Sequence, residues 1–436
     1  MDAPDAPGRA SGDGGHPARA TPSTARTPPA LSRCVAVEPA KFAAAYWGRA
    51  PLLSRAAELP NPVGFTDLLS PADADELLSR RGLRAPFLRV ARNGEVLPTG
   101  RYTGGGGAGA EITDQVLDER VLALYADGAT LVLQGLHRTW PPLIDLTREL
   151  SLTLGQPLQV NAYLTPPDNQ GFATHYDTHD VFVLQVDGHK HWRIHEPVLP
   201  DPLERQPWGG RADEVSAIAD GPPALDVVLG PGDALYLPRG WLHSAQARDE
   251  ASLHLTVGVR ALTRYSVVEA LLELAAEDRR LRAGLPFGMD VADVDQLEPE
   301  LTETVEALRD WLLQADPAAV ADRLRNRVWP AARPAPIRPL AQAATIARLD
   351  VDTRLAPRAG LRWQLRPEPA TDGAPARVSL LLFDRTLSFP AQCARAVRAF
   401  LSGGVTRVGD LPGLDDDADR IVLARRLLRE AVAVEV

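Results

Sequence analysis

The sequence predicts an α+β protein whose centre is a double-stranded β-helix, a short antiparallel sheet rolled onto itself. Three observations point there. Short apolar runs bounded by turn residues, at 129–133, 157–164, 180–186 and 234–237, read as buried strands. Five of the nine histidines fall between His175 and His195. Finally, His175-x-Asp177 is answered much later by Gly232-Asp233, an apolar run, Pro238-x-Gly240-Trp241 and His243, a pattern that this rolled sheet brings together.

Taken in order, residues 1–32 are rich in Pro, Gly, Ala, Ser and Thr and are expected to be a disordered tail. Residues 35–53 predict a short amphipathic helix and an aromatic, proline-marked lead into the main domain. The glycines at 104–107 read as a surface loop and lid candidate rather than a phosphate cradle, since no Gly-Lys-Ser/Thr follows. A helix is expected from Asp118, a strand at 129–133, a helix at 143–154 and a strand at 157–164 that puts Asn161 and Tyr163 on one face. Residues 180–186 and 190–194 then read as two strands of a hairpin turning at Asp187-Gly188. Lys190 and Trp192 would share its inner face, with His189, His191, Arg193 and His195 outside.

The chemistry of the site follows from alternation. If residues 174–177 are extended, His175 and Asp177 project from one face and Tyr176 from the other. An imidazole and a carboxylate side by side are two of the three ligands of the facial triad that holds non-haem Fe(II). One strand cannot supply the third, and His243 on a return strand can. His179 shares the face of Asp177, but a fourth protein ligand would close a site that oxygen chemistry needs open, so it reads either as a support behind the ligands or as substrate-facing. Only two of the 47 basic residues are lysines, Lys41 and Lys190. A compact ammonium in a narrow barrel suits a carboxylate better than a guanidinium fork does.

Residues 161–192 and 230–259 closely resemble the JmjC-type ribosomal oxygenases of the cupin-4 family. The shared residues include Asn161-Ala162-Tyr163, Thr165-Pro166, Gly171, His175-x-Asp177, Asp180-Val181-Phe182, Leu184-Gln185, Gly188-x-Lys190-x-Trp192 and the segment from Gly232 to His243. The resemblance implies a cupin/JmjC jelly roll with Fe(II) on His175, Asp177 and His243, 2-oxoglutarate as cosubstrate and O2 as oxidant. It also implies that Lys190, helped by Asn161 or Tyr163, holds the far carboxylate of 2-oxoglutarate. Asp168, His179, Asp187 and Ser252 are expected to face the substrate.

The same resemblance orders the chain: a catalytic domain at 33–262 with its β-helix core at about 129–262, a helical dimerisation segment at 263–330, a proline-rich linker at 331–340 and a winged-helix-like domain at 341–436. Apolar residues at three- and four-residue spacing predict helices over 267–281 and 301–328. In the last domain a strand is expected at 378–383, a helix at 390–401 and a final helix after the Gly403-Gly404 break.

A formal charge of −10 argues against a general nucleic-acid binder, and the 14 Arg of residues 341–436 are balanced by 12 Asp and Glu. No long apolar run suggests a membrane span. Two cysteines, Cys34 and Cys393, are too few for a disulfide framework and suit the cytoplasm. Three function classes follow: hydroxylation of an arginine or histidine of a ribosomal protein, hydroxylation of a small molecule or peptide by the same mechanism, and a non-catalytic interaction protein. A homodimer and a ribosomal-protein substrate are the partners expected.

Overall fold

The computed structural model describes residues 29–61, 63–92, 94–170, 172–368 and 375–436. Of the expected tail, residues 1–28 lie outside the described residues. Its end is corrected, because Ala30 and Leu31 are buried in the main core beside Cys34 and Val35. Helix α1 (Pro39–Ala45) buries Phe42 and leads to strand β1 (Leu52–Ser54). Helix α2 (Pro71–Arg80) starts on a reciprocal Ser70–Asp73 cap. Strands β2 (Leu88–Arg92) and β3 (Glu95–Val96) form a hairpin, and β4 (Thr103–Gly104) pairs with β5 (Gln115–Val116). Only Gly104 of the glycine tetrad is in this ribbon; Gly105 to Gly107 open the loop that joins its two strands, as expected.

Helix α3 (Asp118–Ala126) and strand β6 (Thr130–Leu133) follow, then helices α4 (Leu136–Thr139) and α5 (Pro141–Leu154) and strand β7 (Leu158–Thr165). Next come β8 (Asp180–His195), helix α6 (Ala212–Ala219), β9 (Leu225–Leu229), β10 (Ala234–Leu237) and β11 (Leu242–Val259). One antiparallel sheet runs β1-β10-β8-β11-β7-β6-β2-β3, with β9 also on β8.

The expected hairpin at Asp187-Gly188 is not there. Residues 180–195 form one continuous strand, and both of its halves pair with β11, Asp180–Gln185 with 254–259 and His189–His195 with 242–248. Asp187 pairs with Leu253, and the register shifts on both sides of that pair, so that 249–252 have no partner in β8. Gly188 has φ +62°, and a Cβ there would lie 2.0 Å from the Ala251 carbonyl oxygen, so a glycine is required. The irregularity also changes which parity faces inward, as a bulge does. Val181 and Val183 face the interior cavity and Phe182, Leu184 and Val186 the outer core. Past Gly188 the even-numbered Lys190 and Trp192 face that cavity. Gln185 fills the bulge, donating to the carbonyls of Asp187 and Gly188 and to the Ser252 hydroxyl at 2.9–3.0 Å.

Beyond the sheet, α7 (Arg264–Ala275) starts on a Thr263 cap and ends earlier than expected. The single helix expected over 301–328 is two, α8 (Val294–Leu312) and α9 (Pro317–Val328), because Asp316 caps a new start and Pro317 occupies its first turn. The linker is shorter than expected, since α10 begins at Pro339 (Pro339–Arg348). The C-terminal unit continues with β12 (Arg354–Pro357), β13 (Gln364–Pro367), β14 (Arg377–Leu381), β15 (Thr386–Pro390), α11 (Ala394–Ser402), β16 (Thr406–Arg407), α12 (Asp417–Arg429) and β17 (Ala433–Glu435). Its two three-stranded sheets, β16-β12-β17 and β13-β14-β15, enclose a core of their own with Phe389, Phe400 and Leu427. Among the described residues no helix is long and apolar enough to cross a membrane.

Candidate metal centre

His175 is not in a strand, as expected, but in an isolated bridge to His243. The two residues exchange both backbone hydrogen bonds, His175 N–H to the His243 carbonyl at 3.2 Å and the reverse at 2.8 Å. The Gly240 N–H donates to the Asp177 carbonyl at 3.0 Å. Backbone geometry alone therefore fixes how the two distant segments meet. The buried Asp180 carboxylate adds a second tie, accepting from the Tyr236 hydroxyl at 3.0 Å and the Arg239 N–H at 2.9 Å, which holds the turn that delivers His243.

Three side chains converge there. One donor atom each from His175, Asp177 and His243 lies within 4.8 Å of the others, and Asp177 Oδ2 is 3.8 Å from His243 Nε2. In both histidines Nδ1 faces the carbonyl two residues back, Ala173 at 2.7 Å and Trp241 at 3.1 Å. Protonation at Nδ1 leaves each Nε2 lone pair free for a metal, the usual outer-shell arrangement. Burial, with His175 beside it, pushes the His243 imidazole down to about 4, so it is neutral as a ligand must be. Burial raises the Asp177 carboxyl, but His179, His243 and His175 together outweigh that and hold it below the usual range. Two imidazoles and one carboxylate with open space beside them fit a hard-to-borderline divalent ion of the iron type. His179 stands off, its Nε2 4.0 Å from Asp177 Oδ2. Its ring lies against Gly258, where a Cβ would approach to 2.7 Å.

The three donors open on a cavity of about 270 Å³. Lys190 lines it, 2% exposed, and its Nζ donates to Thr165 Oγ1 at 2.9 Å. Burial alone lowers its ammonium to about 7, a cost on the order of 5 kcal/mol in the protein by itself. Among the described residues no carboxylate pairs with it. Tyr163 stacks on His254 with ring centroids 4.9 Å apart, and burial pushes its hydroxyl up, so it stays protonated. Trp192 Nε1 and His254 Nδ1 are buried without a hydrogen-bond partner among the described residues. An unmatched ammonium and orphaned polar atoms beside a metal triad fit a small dicarboxylate.

Residues 145–267 match the JmjC domain family. Over that stretch the chain is similar to JmjC domains. It is 33% identical over 290 residues to ribosomal oxygenase 1 of Gallus gallus, covering 62% of this chain and 45% of that protein. It is 43% identical over 134 residues to the bifunctional lysine-specific demethylase and histidyl-hydroxylase NO66 of Drosophila persimilis, covering 29% of this chain and 19% of that one. The match thus spans less than half the length of these curated relatives. The structure of YcfD, a ribosomal oxygenase from Escherichia coli in complex with cobalt and succinic acid, shares the fold with a TM-score of 0.52 at 16% identity, covering 92% of this chain and 99% of that one.

The other expected site residues divide. Tyr163 lines the cavity, whereas Asn161 accepts from the Gly135 N–H at 3.2 Å and lines an adjoining cavity with His179. Asp168 and Asp187 are exposed outside both cavities, and Asp168 accepts from the Asp249 N–H at 3.2 Å. Ser252 is 2% exposed and engaged by Gln185 at the bulge, so it supports the strand rather than a substrate. His195, expected outside, is 3% exposed. Thr165, Thr130 and Arg89 were not singled out as site residues; Thr165 was marked only by the resemblance, and Thr130 and Arg89 only by the strand pairing that brings β2, β6 and β7 beside β8 and β11.

Substituting His175→Ala is expected to abolish stoichiometric binding of Fe(II) or Co(II), measured by metal analysis after desalting, while His179→Ala retains the metal. Loss in His179→Ala with retention in His175→Ala would exclude the triad.

Proposed function

We propose that this protein is an Fe(II)- and 2-oxoglutarate-dependent dioxygenase that hydroxylates an arginine or histidine side chain of a ribosomal protein. The observation that carries the reading is the buried, otherwise unmatched Lys190 ammonium in the same cavity as three metal-donor atoms. The names of the relatives support it, as do the cobalt and succinic acid bound by YcfD; succinate is what remains of 2-oxoglutarate after oxidative decarboxylation.

His175, Asp177 and His243 would hold the iron, and the iron with 2-oxoglutarate supplies the activation of O2. The chain positions everything else. Lys190 Nζ, braced by the Thr165 hydroxyl, binds the far carboxylate, and Thr130 Oγ1 steadies Thr165 at 3.3 Å. The protonated Tyr163 hydroxyl and the Trp192 indole N–H are further donors on the same walls. Val181, Val183 and Leu237 exclude water from between them, which strengthens each polar contact.

The reacting side chain enters from the other side. A cavity of about 360 Å³ reaches Asp177 and is lined by Gln134, Gln159, Asn161, His179 and Thr256. Amide and imidazole groups there match the planar hydrogen-bonding edges of guanidinium or imidazole. A homodimer belongs to the same reading. Helix α8 presents Val294, Leu301, Val305 and Leu312 to the outside, spaced as one apolar seam along the helix, and a second copy of the chain would cover it. We further read residues 341–436 as a winged-helix-like scaffold, with no nucleic acid as partner and the cytoplasm as compartment.

Four outcomes are expected. Incubation with Fe(II), 2-oxoglutarate and ribosomal proteins of the host adds one oxygen atom to one of them by intact-mass spectrometry; succinate formation without any mass shift would move the assignment to a small-molecule substrate. In Lys190→Ala, metal is retained but affinity for 2-oxoglutarate falls more than tenfold. Because Lys190 must be charged to bind and is lowered to about 7, wild-type affinity weakens roughly tenfold per pH unit above 7 by calorimetry, and a flat profile would refute the ammonium's role. Light scattering at micromolar concentration reads twice the chain mass, and the mass of a single chain would refute the dimer.

A further inference from the structure

On the far side of β7 from the metal, α4 and α5 face the linker and the 358–362 loop across a cavity of about 250 Å³. Its charge is one-sided. Arg138, Arg148, Arg333, Arg358 and Arg362 line it, and among the described residues no Asp or Glu does, in a chain whose net charge is −10. Arg148 is paired with Asp145 at 2.6 Å. Among the described residues the other four are in no ion pair. Asp384, which acts on Arg358 from a distance, is engaged by Arg385 at 2.8 Å.

Two of the arginines are half-buried and held in place. Arg358 Nε donates to the Ala335 carbonyl at 2.5 Å and Arg362 Nη2 to the Ser151 carbonyl at 3.1 Å. Each guanidinium has five N–H donors, so most remain free, and burial lowers both groups from their ordinary range. Gly360 makes room for this: at φ +72° it lets the Arg148 stem pass, where a Cβ would come within 2.7 Å of two of its carbons. Clustering like charges in a partly desolvated space raises the free energy unless something of opposite sign lies between them.

We propose that this junction cavity binds a small oxyanion with two or more negative charges, pyrophosphate-like in its chemistry, gripped by Arg138 from the catalytic unit and by Arg333, Arg358 and Arg362 from the C-terminal side. Guanidinium forks match such oxygens in pairs. The enclosed volume and the apolar wall of Ile144 and Leu158 favour a compact ligand over a polymer backbone, which a stripe of exposed charge would suit better. The bound anion draws the two units together, so it acts as a staple between them.

The test uses the full chain and inorganic pyrophosphate at constant ionic strength, by calorimetry and thermal unfolding. Expected are saturable 1:1 binding, a rise of several degrees in the unfolding midpoint, and at least tenfold weaker binding in Arg138→Gln/Arg333→Gln. Both side chains of that variant are exposed and unpaired, so its midpoint without pyrophosphate should match wild type. Arg362→Gln, which also loses the tie to Ser151, serves as the second variant and should weaken binding as well. No saturable binding, binding unchanged in both variants, or binding only to an RNA oligonucleotide would overturn the proposal. His175→Ala should bind pyrophosphate like wild type, which keeps this result separate from that of the metal site.

Discussion

The pair of backbone hydrogen bonds between His175 and His243 is the constraint on which the rest depends. Residues far apart in sequence become direct cross-chain neighbours, and their side chains are then obliged to point the same way. Asp177 follows because its own carbonyl is held by Gly240. The rolled sheet, the Asp180 carboxylate that ties down Arg239 and Tyr236, and the Nδ1 contacts of both imidazoles all serve this one junction. None of them touches a metal, yet each removes a freedom that would otherwise have to be lost on binding one.

Around that junction the protein keeps its polar groups underused. A buried lysine without a carboxylate, an indole N–H without an acceptor and a neutral histidine stacked on a tyrosine are unfavourable as a set in the protein alone. A structure stabilised only for its own sake would have filled this space with apolar side chains. Such strain concentrates where a ligand completes the arrangement.

Much of this was legible in the sequence. Strand alternation and the late Gly-Asp…Trp-x-His segment placed His175, Asp177 and His243 together, and the scarcity of lysine marked Lys190. The strands at 129–133, 157–164 and 234–237 could be read because each is a short, apolar run between turn residues. The failures have physical causes. Asp187-Gly188 has the chemistry of a hairpin turn, and a left-handed glycine serves a bulge equally well; only the long partner β11 decides between them. Asp168 and Asp187 were chosen for charge, which says nothing of direction. Ser252 alternates with His254 and stays in register with it along β7, but Gln185, brought in by the irregularity of β8, occupies its hydroxyl. Thr130 carries no signal of its own, and Thr165, though among the residues shared with the family, gives no hint of its role, because what matters is the strand order that sets both beneath the ammonium.

The change of parity in β8 has a consequence for how this strand can evolve. Because Val183 and Lys190 face the same space with an odd number of steps between them, the segment from 184 to 189 acts as a counted spacer. Losing or gaining one residue there would turn the downstream half over, driving His189, His191 and Arg193 into the interior and the lysine into water. Exchange of one side chain for another in this stretch is survivable at many positions, whereas a change of length is not, so insertions and deletions are the class of mutation that this strand must exclude.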